Sequence, residues 1–443
     1  MPSQKRLDLP IKYFEEIINK IYFSLLKKNL SDKSKEFIRN FGYLLLAEFI
    51  GSIIGFPIKI LVGRFLGPEE YGNYALILNL TQFFIIPMIF GLTTAAIKYI
   101  SSKEDKEKYI LSIFALNFIT VTISSIALII LKKPLLLLFN IPEHIFWWTL
   151  IFSIVYSLYY LADSMIRGLQ KFKLVFSIAI LNSSVLLLVF LFNLFIRKDN
   201  TYSAFISANI ACFVFSFLIY ASVLYLRLKG KMIISFKKIK EILPYTSWAI
   251  IGSITGVIIG NTNSFFLNTY SSLLWVGIYM AYVNGANLFV GRAFALFLQV
   301  YFPTISAEKQ KGYLVNKVTK ILLIGFFPIV LISALTIYIA LLLFGSEFPI
   351  LIGLIILFSL NNFFFVANQS YMWLLNSQGV IGLRKVTLIN IIASVISLIL
   401  FFFLIKEFGI YGSISAIILV NVFLTILFYI NAKSFARRGK FNE

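Results

Sequence analysis

Apolar runs of about 20 residues alternate with short polar breaks along most of the chain, the spacing needed for helices to cross a hydrocarbon layer about 30 Å thick. Read against proline, glycine and charge, the pattern predicts twelve helices, at 41–62, 73–97, 109–131, 146–166, 174–196, 202–226, 244–268, 275–300, 318–343, 350–374, 386–405 and 413–432. The connection from Lys132 to Ile145 is itself apolar at Leu135–Phe139, which places it in the membrane interface. Before the first helix, Ile11, Phe14, Ile18, Ile21 and Leu25 recur at helical spacing with Lys12, Glu15, Glu16, Asn19 and Lys20 between them. That pattern fits an amphipathic helix lying on an anionic membrane surface or a partly ordered tail. The lysine-rich start offers no uninterrupted apolar region and no small-residue cleavage site for a signal peptidase.

Composition agrees with lipid as the solvent. Hydrophobic residues make up 59% of the chain and charged ones 13%, where soluble domains hold about a quarter charged. The net charge of +21 is explained by where the basic residues fall. With the N-terminus in the cytoplasm, 32 of the 40 lysines and arginines lie on inner segments, six on outer ones, and Lys59 and Arg292 within helices. Such asymmetry is the positive-inside signal of a plasma-membrane protein with both termini cytoplasmic, and it leaves no nucleic-acid footprint to explain. The single cysteine, Cys212, and the single histidine, His144, exclude an intramolecular disulfide and a Cys or His metal cluster, so neither metal nor cofactor is expected. There is no GxxxxGK[ST] loop for ATP. The one adjacent acidic pair on an outer segment, Glu69 and Glu70, sits in a turn, so a membrane enzyme is not expected.

The second half of the chain repeats the first. At an offset of 205 residues, Gly51, Ile53, Ile54 and Gly55 fall on Gly256, Ile258, Ile259 and Gly260. Gly72, Tyr74, Asn79 and Phe84 likewise fall on Gly277, Tyr279, Asn284 and Phe289, and Ile100-Ser101 on Ile305-Ser306. The offset brings the first helix onto the seventh. Six crossings separate the copies, so both halves enter the membrane in the same sense, as in transporters built from parallel repeats. The expected architecture is all-α and membrane-integral, with two parallel six-helix lobes around a central cavity. The predicted units are an N-tail 1–40, an N-lobe 41–226, a basic linker 227–243, a C-lobe 244–432 and a C-tail 433–443.

Polar side chains within the spans are costly, about 2.5–3.5 kcal/mol each when charged, and so point to a cavity. On the first helix Glu48, Ser52, Gly55 and Lys59 form one stripe; Ser253, Gly256, Gly260 and Asn263 form its uncharged counterpart on the seventh. Gly285, Arg292 and Gln299 recur every seven residues on the eighth helix, and Asn362 and Gln369 do so on the tenth, beside Asn361 and Asn368. The glycines equally suit helix–helix packing, and Lys59 lies near enough to a helix end to snorkel. Asp163 and Arg167 have the spacing of an interfacial salt bridge. Pro57, Pro87 and Pro328 fall inside helices and are expected to kink them.

The segment Leu66-Gly67-Pro68-Glu69-Glu70-Tyr71-Gly72-Asn73-Tyr74 resembles the hairpin of Wzx-like polysaccharide flippases of the multidrug/oligosaccharidyl-lipid/polysaccharide exporter superfamily. Gly91-Leu92, Ile97-Lys98-Tyr99, Arg167-Gly168-Leu169-Gln170 and Val276-Gly277-Ile278-Tyr279 extend the likeness. The resemblance implies a flippase that moves a polyprenyl-(di)phosphate-linked oligosaccharide to the outer leaflet by alternating access. It also implies cationic cavity residues for the diphosphate, here Lys59 and Arg292, with Arg64 and Arg167 at the rims. Asn263, Asn284, Gln299, Asn362 and Gln369 complete the substrate candidates. Glu48 and Arg292, at matched depth in opposite lobes, are the gating candidates. The expected partners are the lipid-linked glycan, membrane lipids and glycan-assembly proteins around a functional monomer. A multidrug or small-cation exporter and a lipid II flippase are the alternatives.

Overall fold

A computed structural model describes residues 32–102, 105–228, 234–307 and 312–437; side chains before Gly55, and that of Gln299, lie outside the described set. The N-tail helix therefore lies outside it as well. The described chain is helical throughout, and ten of its helices are long and apolar enough to span a membrane. Two of the ten are double. The segment 32–89 is interrupted at Gly67, with φ 73° and ψ 170°. The segment 379–437 is interrupted at Gly409, with φ 54° and ψ −128°. Divided there, the ten become the twelve crossings that the apolar pattern predicts.

In chain order the helices are α1 (32–66), α2 (68–89), α3 (Leu92–Ser102), α4 (Lys106–Ile130), α5 (Lys132–Phe139), α6 (Glu143–Gly168), α7 (Phe172–Leu191) and α8 (Tyr202–Leu228). There follow α9 (Phe236–Tyr270), α10 (Leu273–Ala286), α11 (Arg292–Ala307), α12 (Gly312–Phe344), α13 (Ile352–Asn376), α14 (379–408) and α15 (410–437). Together α2 and α3 make the second crossing, and α10 and α11 the eighth. The short α5 is the apolar connection anticipated from the sequence, and its Leu137 and Leu138 are exposed.

Five crossings, the first, second, seventh, ninth and eleventh, start five or more residues earlier than expected, and two of these starts tie the fold together. The second crossing begins at Pro68, five residues earlier, because proline at a first helical position gives up no bonded N–H and glutamates in the first turn favour the helix dipole. Glu70 then accepts the Tyr202 amide at 2.9 Å, tying the second crossing to the sixth. The seventh crossing begins at Phe236, inside the expected linker, and runs through Pro244. Its first turns bind α4: the Tyr109 hydroxyl donates to Glu241 Oε2 at 2.6 Å, Lys238 Nζ lies 4.5 Å from the Tyr109 ring, and Ser112 and Ser235 exchange hydrogen bonds. The helical assignment continues through Pro57, Pro87 and Pro328; the second crossing breaks after Pro87, at Phe90 and Gly91, both left-handed.

The 205-residue offset reappears as contacts. Gly72 of α2 and Gly277 of α10, equivalent in the repeat, face each other so closely that a Cβ on either would collide with the partner's backbone, at Leu273 O or at Pro68 O. Lys59 Nζ donates to Asn284 Oδ1 at 3.3 Å, and Asn79 Nδ2 donates to Ser264 Oγ at 2.8 Å. Each of these bonds is the other's image under the offset, with serine standing where the first copy has lysine. Around them Tyr71, 1% exposed, packs on Phe344 and Phe348, while Phe83 and Phe139 converge on Phe265 at 5.4 and 4.7 Å.

Gly72→Ala and Gly277→Ala are each expected to cost about 1–3 kcal/mol by overpacking, seen as a lower melting temperature in detergent. Gly256→Ala, whose added methyl meets open space, is expected to leave the melting temperature unchanged.

Candidate functional site

A cavity of about 600 Å³ opens among the helices of the second half. That volume lies within the range of about 300–1,000 Å³ typical of small-ligand pockets. Its walls come from α9, α10, α13, α14 and α15, with Asn79 of α2 as the contribution of the first half. The polar lining is almost wholly carboxamide. Nine asparagines and Gln369 face it, and no Asp, Glu, Lys or Arg is among the lining residues described.

The carboxamides are held by one another and by backbone. Asn368 Nδ2 donates to Asn421 Oδ1 at 2.5 Å, and Asn421 Nδ2 passes the chain on to Asn361 Oδ1 at 2.8 Å. Asn362 Nδ2 donates to Ala286 O at 2.7 Å and to Ser333 Oγ at 3.1 Å. Asn263 Nδ2 reaches Ser413 Oγ at 3.3 Å. Two acceptors are left over: Asn263 Oδ1 and Asn368 Oδ1, on side chains each 1% exposed, meet no donor among the described residues. A buried amide oxygen without a donor is uncommon and marks a place for a ligand or water.

A π turn, Asn287–Gly291, joins α10 to α11 and shapes this wall. At its junction with α10 the Ala286 carbonyl accepts the bond from Asn362, a neighbouring helix supplying the donor. The same turn lies between Gly285 and Arg292 and changes the α-helical register that their seven-residue spacing assumes. Gly285 packs on Ile337 and Ala340 of α12, whereas Arg292 lies beyond the turn.

The structure sorts the remaining candidates. Asn263, Asn362 and Gln369 line the cavity, as do Asn361, Asn368, Gly256 and Gly260. The packing alternative for the glycines does not hold along this stripe, since a Cβ at Gly55, Gly256 or Gly260 meets nothing within 4 Å. Asn284 is not among the lining residues. It is 6% exposed, accepts from Lys59 and donates to the Tyr71 hydroxyl at 2.9 Å. Lys59 and Arg292 are also absent from the lining. Arg167 Nε is paired with Asp163 at 2.6 Å, with the Tyr220 hydroxyl on the other carboxylate oxygen, so the expected salt bridge forms. Arg64 is exposed beside Gly345. The Glu48 side chain, its expected pairing with Arg292, and the Gln299 side chain lie outside the described residues.

Sequence reasoning missed Asn79, Asn261, Asn287, Asn390 and Asn421 as cavity residues. Asn390 falls in a stripe with Thr387, Ser394 and Ser397, and Asn421 lies four residues before Thr425, but neither has a second carboxamide at helical spacing like the pair that marked the tenth crossing. The cost of burying an amide in hydrocarbon was the available signal.

The family model described as "Polysaccharide biosynthesis protein" matches residues 37–307. No curated protein sequence matches the chain. Among solved structures, an inward-facing multidrug resistance MATE family transporter of the MOP superfamily aligns at TM-score 0.68 and 14% identity, covering 88% of this chain and 95% of that one. An outward-facing structure of such a transporter gives 0.62 at 14% identity, covering 91% and 96%. A Vibrio cholerae MATE transporter gives 0.60 at 14% identity, covering 90% and 97%. The chain therefore has the fold of these membrane transporters.

Asn362→Leu is expected to destabilise the protein by about 1–3 kcal/mol, because it strips a buried carbonyl of its donor. Gly260→Leu fills open space instead, so it should keep the melting temperature while abolishing transport.

Proposed function

The chain belongs to the polysaccharide biosynthesis protein family, and on that footing we propose that it flips a polyprenyl-(di)phosphate-linked oligosaccharide from the cytoplasmic to the outer leaflet of the plasma membrane. The features that support this reading are the cavity lined by nine asparagines and Gln369, and Lys59 of the first half, whose ammonium is bonded to Asn284 of the second where the two halves touch. A cation held among helices is poorly solvated, and an anionic headgroup beside it restores the charge-assisted hydrogen bonds that water would have made. The carboxamides offer donors and acceptors to sugar hydroxyls, while the lipid tail stays in the bilayer.

The contacts between the halves suit alternating access. In this reading the Lys59–Asn284 and Asn79–Ser264 bonds and the Phe83–Phe139–Phe265 cluster part together when the N-lobe, 41–226, and the C-lobe, 244–432, rock apart. The diphosphate competes with Asn284 for Lys59. The protein works as a monomer, receiving its substrate from glycan-assembly enzymes on the cytoplasmic side. A lining without carboxylates among the described residues, with a lysine at the contact between the halves, disfavours an organic-cation exporter.

In proteoliposomes holding a lipid-linked oligosaccharide, the wild-type chain should equalise the glycan between leaflets. Lys59→Gln and Arg292→Gln should each slow this by about ten-fold, the scale of one lost charge-assisted hydrogen bond, at unchanged melting temperature. Export of an organic cation with no glycan movement would refute the proposal. The orientation is tested separately in a Cys212→Ala background: Lys133→Cys should react with an impermeant maleimide on intact cells, and Lys237→Cys only after permeabilisation.

A further inference from the structure

We propose that the carboxamide cavity binds the uncharged sugars of the headgroup, and that the protein consequently selects neutral glycans and rejects those bearing carboxylates. This rests on the flippase reading and assigns the two parts of the substrate to two places: the diphosphate to Lys59 and Arg292, the sugars to the amide-walled pocket.

The argument is one of matching. A neutral sugar presents hydroxyls that both donate and accept, and a carboxamide is the side chain that does both without charge. The chain Asn368–Asn421–Asn361 is polarised in one direction and ends in a buried acceptor, Asn368 Oδ1, that needs a donor such as a hydroxyl. Met280, Met372, Phe358 and Phe365 stand between the amides and supply the apolar surface on which the C–H faces of a pyranose pack. A carboxylate donates nothing to Asn368 Oδ1 and meets no cation among the described lining residues. It would lose its water in a low-dielectric site with no compensating charge.

The full-length chain in proteoliposomes provides the test, with two probes that differ in one sugar: a polyprenyl-diphosphate oligosaccharide of N-acetylhexosamine and hexoses, and the same molecule with one hexose replaced by hexuronic acid. The neutral probe should cross at least about ten-fold faster, the order expected for an uncompensated buried charge. Asn390 is half-buried, lines the cavity and makes no hydrogen bond among the described residues, so its replacement disturbs least. Asn390→Lys should move the ratio toward the acidic probe by a similar factor, and continued movement of the neutral probe shows that the variant is folded. Equal rates for both probes in the wild type, or an unchanged ratio in Asn390→Lys, would overturn the selectivity while leaving the flippase reading standing. Movement of neither probe by the wild type would overturn both.

Discussion

The contact of Gly72 with Gly277 sets the distance at which the two halves of the protein meet. In a membrane, helices gain little from hiding apolar surface from one another, so close backbone approach and interhelical hydrogen bonds carry the association. Side chains at this crossing would force the helices apart. With none there, Lys59 reaches Asn284, Asn79 reaches Ser264, and Tyr71 lies buried where the second, eighth and ninth crossings come together. The hairpin that precedes the crossing serves the same end: Gly67 makes the reversal, Pro68 starts the next helix at once, and Gly72 arrives one turn later at the contact.

Around that contact the repeat has diverged in charge while keeping its geometry. Lys59 and Ser264 occupy equivalent positions and bond equivalent asparagines, yet one brings a cation and the other a hydroxyl. The first half thus supplies charge at the meeting point, and the second half builds a neutral, amide-lined chamber beside it. A π turn in the eighth crossing separates these environments, with Asn284 before it and Arg292 after it. The division suits a substrate whose phosphate and sugar ends differ as sharply in their solvation.

Much of this was legible in the primary structure. Apolar runs of membrane-spanning length determined the twelve crossings, since a helix in hydrocarbon has no other way to satisfy its backbone. The offset of 205 residues, the hairpin beginning at Leu66, the Asp163–Arg167 pair, and the asparagines and glutamine of the tenth crossing were likewise readable, because each is a pattern at fixed spacing along one helix. Family membership followed from the same hairpin.

Tertiary structure alone decided the rest. The α-helical spacing of Gly285 and Arg292 predicts one face, but a π turn lies between them and changes the register. Asn390 and Asn421 come to one cavity through the placement of separate helices, which the polar spacing within either helix does not encode. The glycines of the seventh crossing fit packing and open space equally well until a neighbour is shown to be near or far. Local spacing is a property of one helix and survives in the sequence; a cavity is a property of the gaps between helices, and it exists only once they are packed.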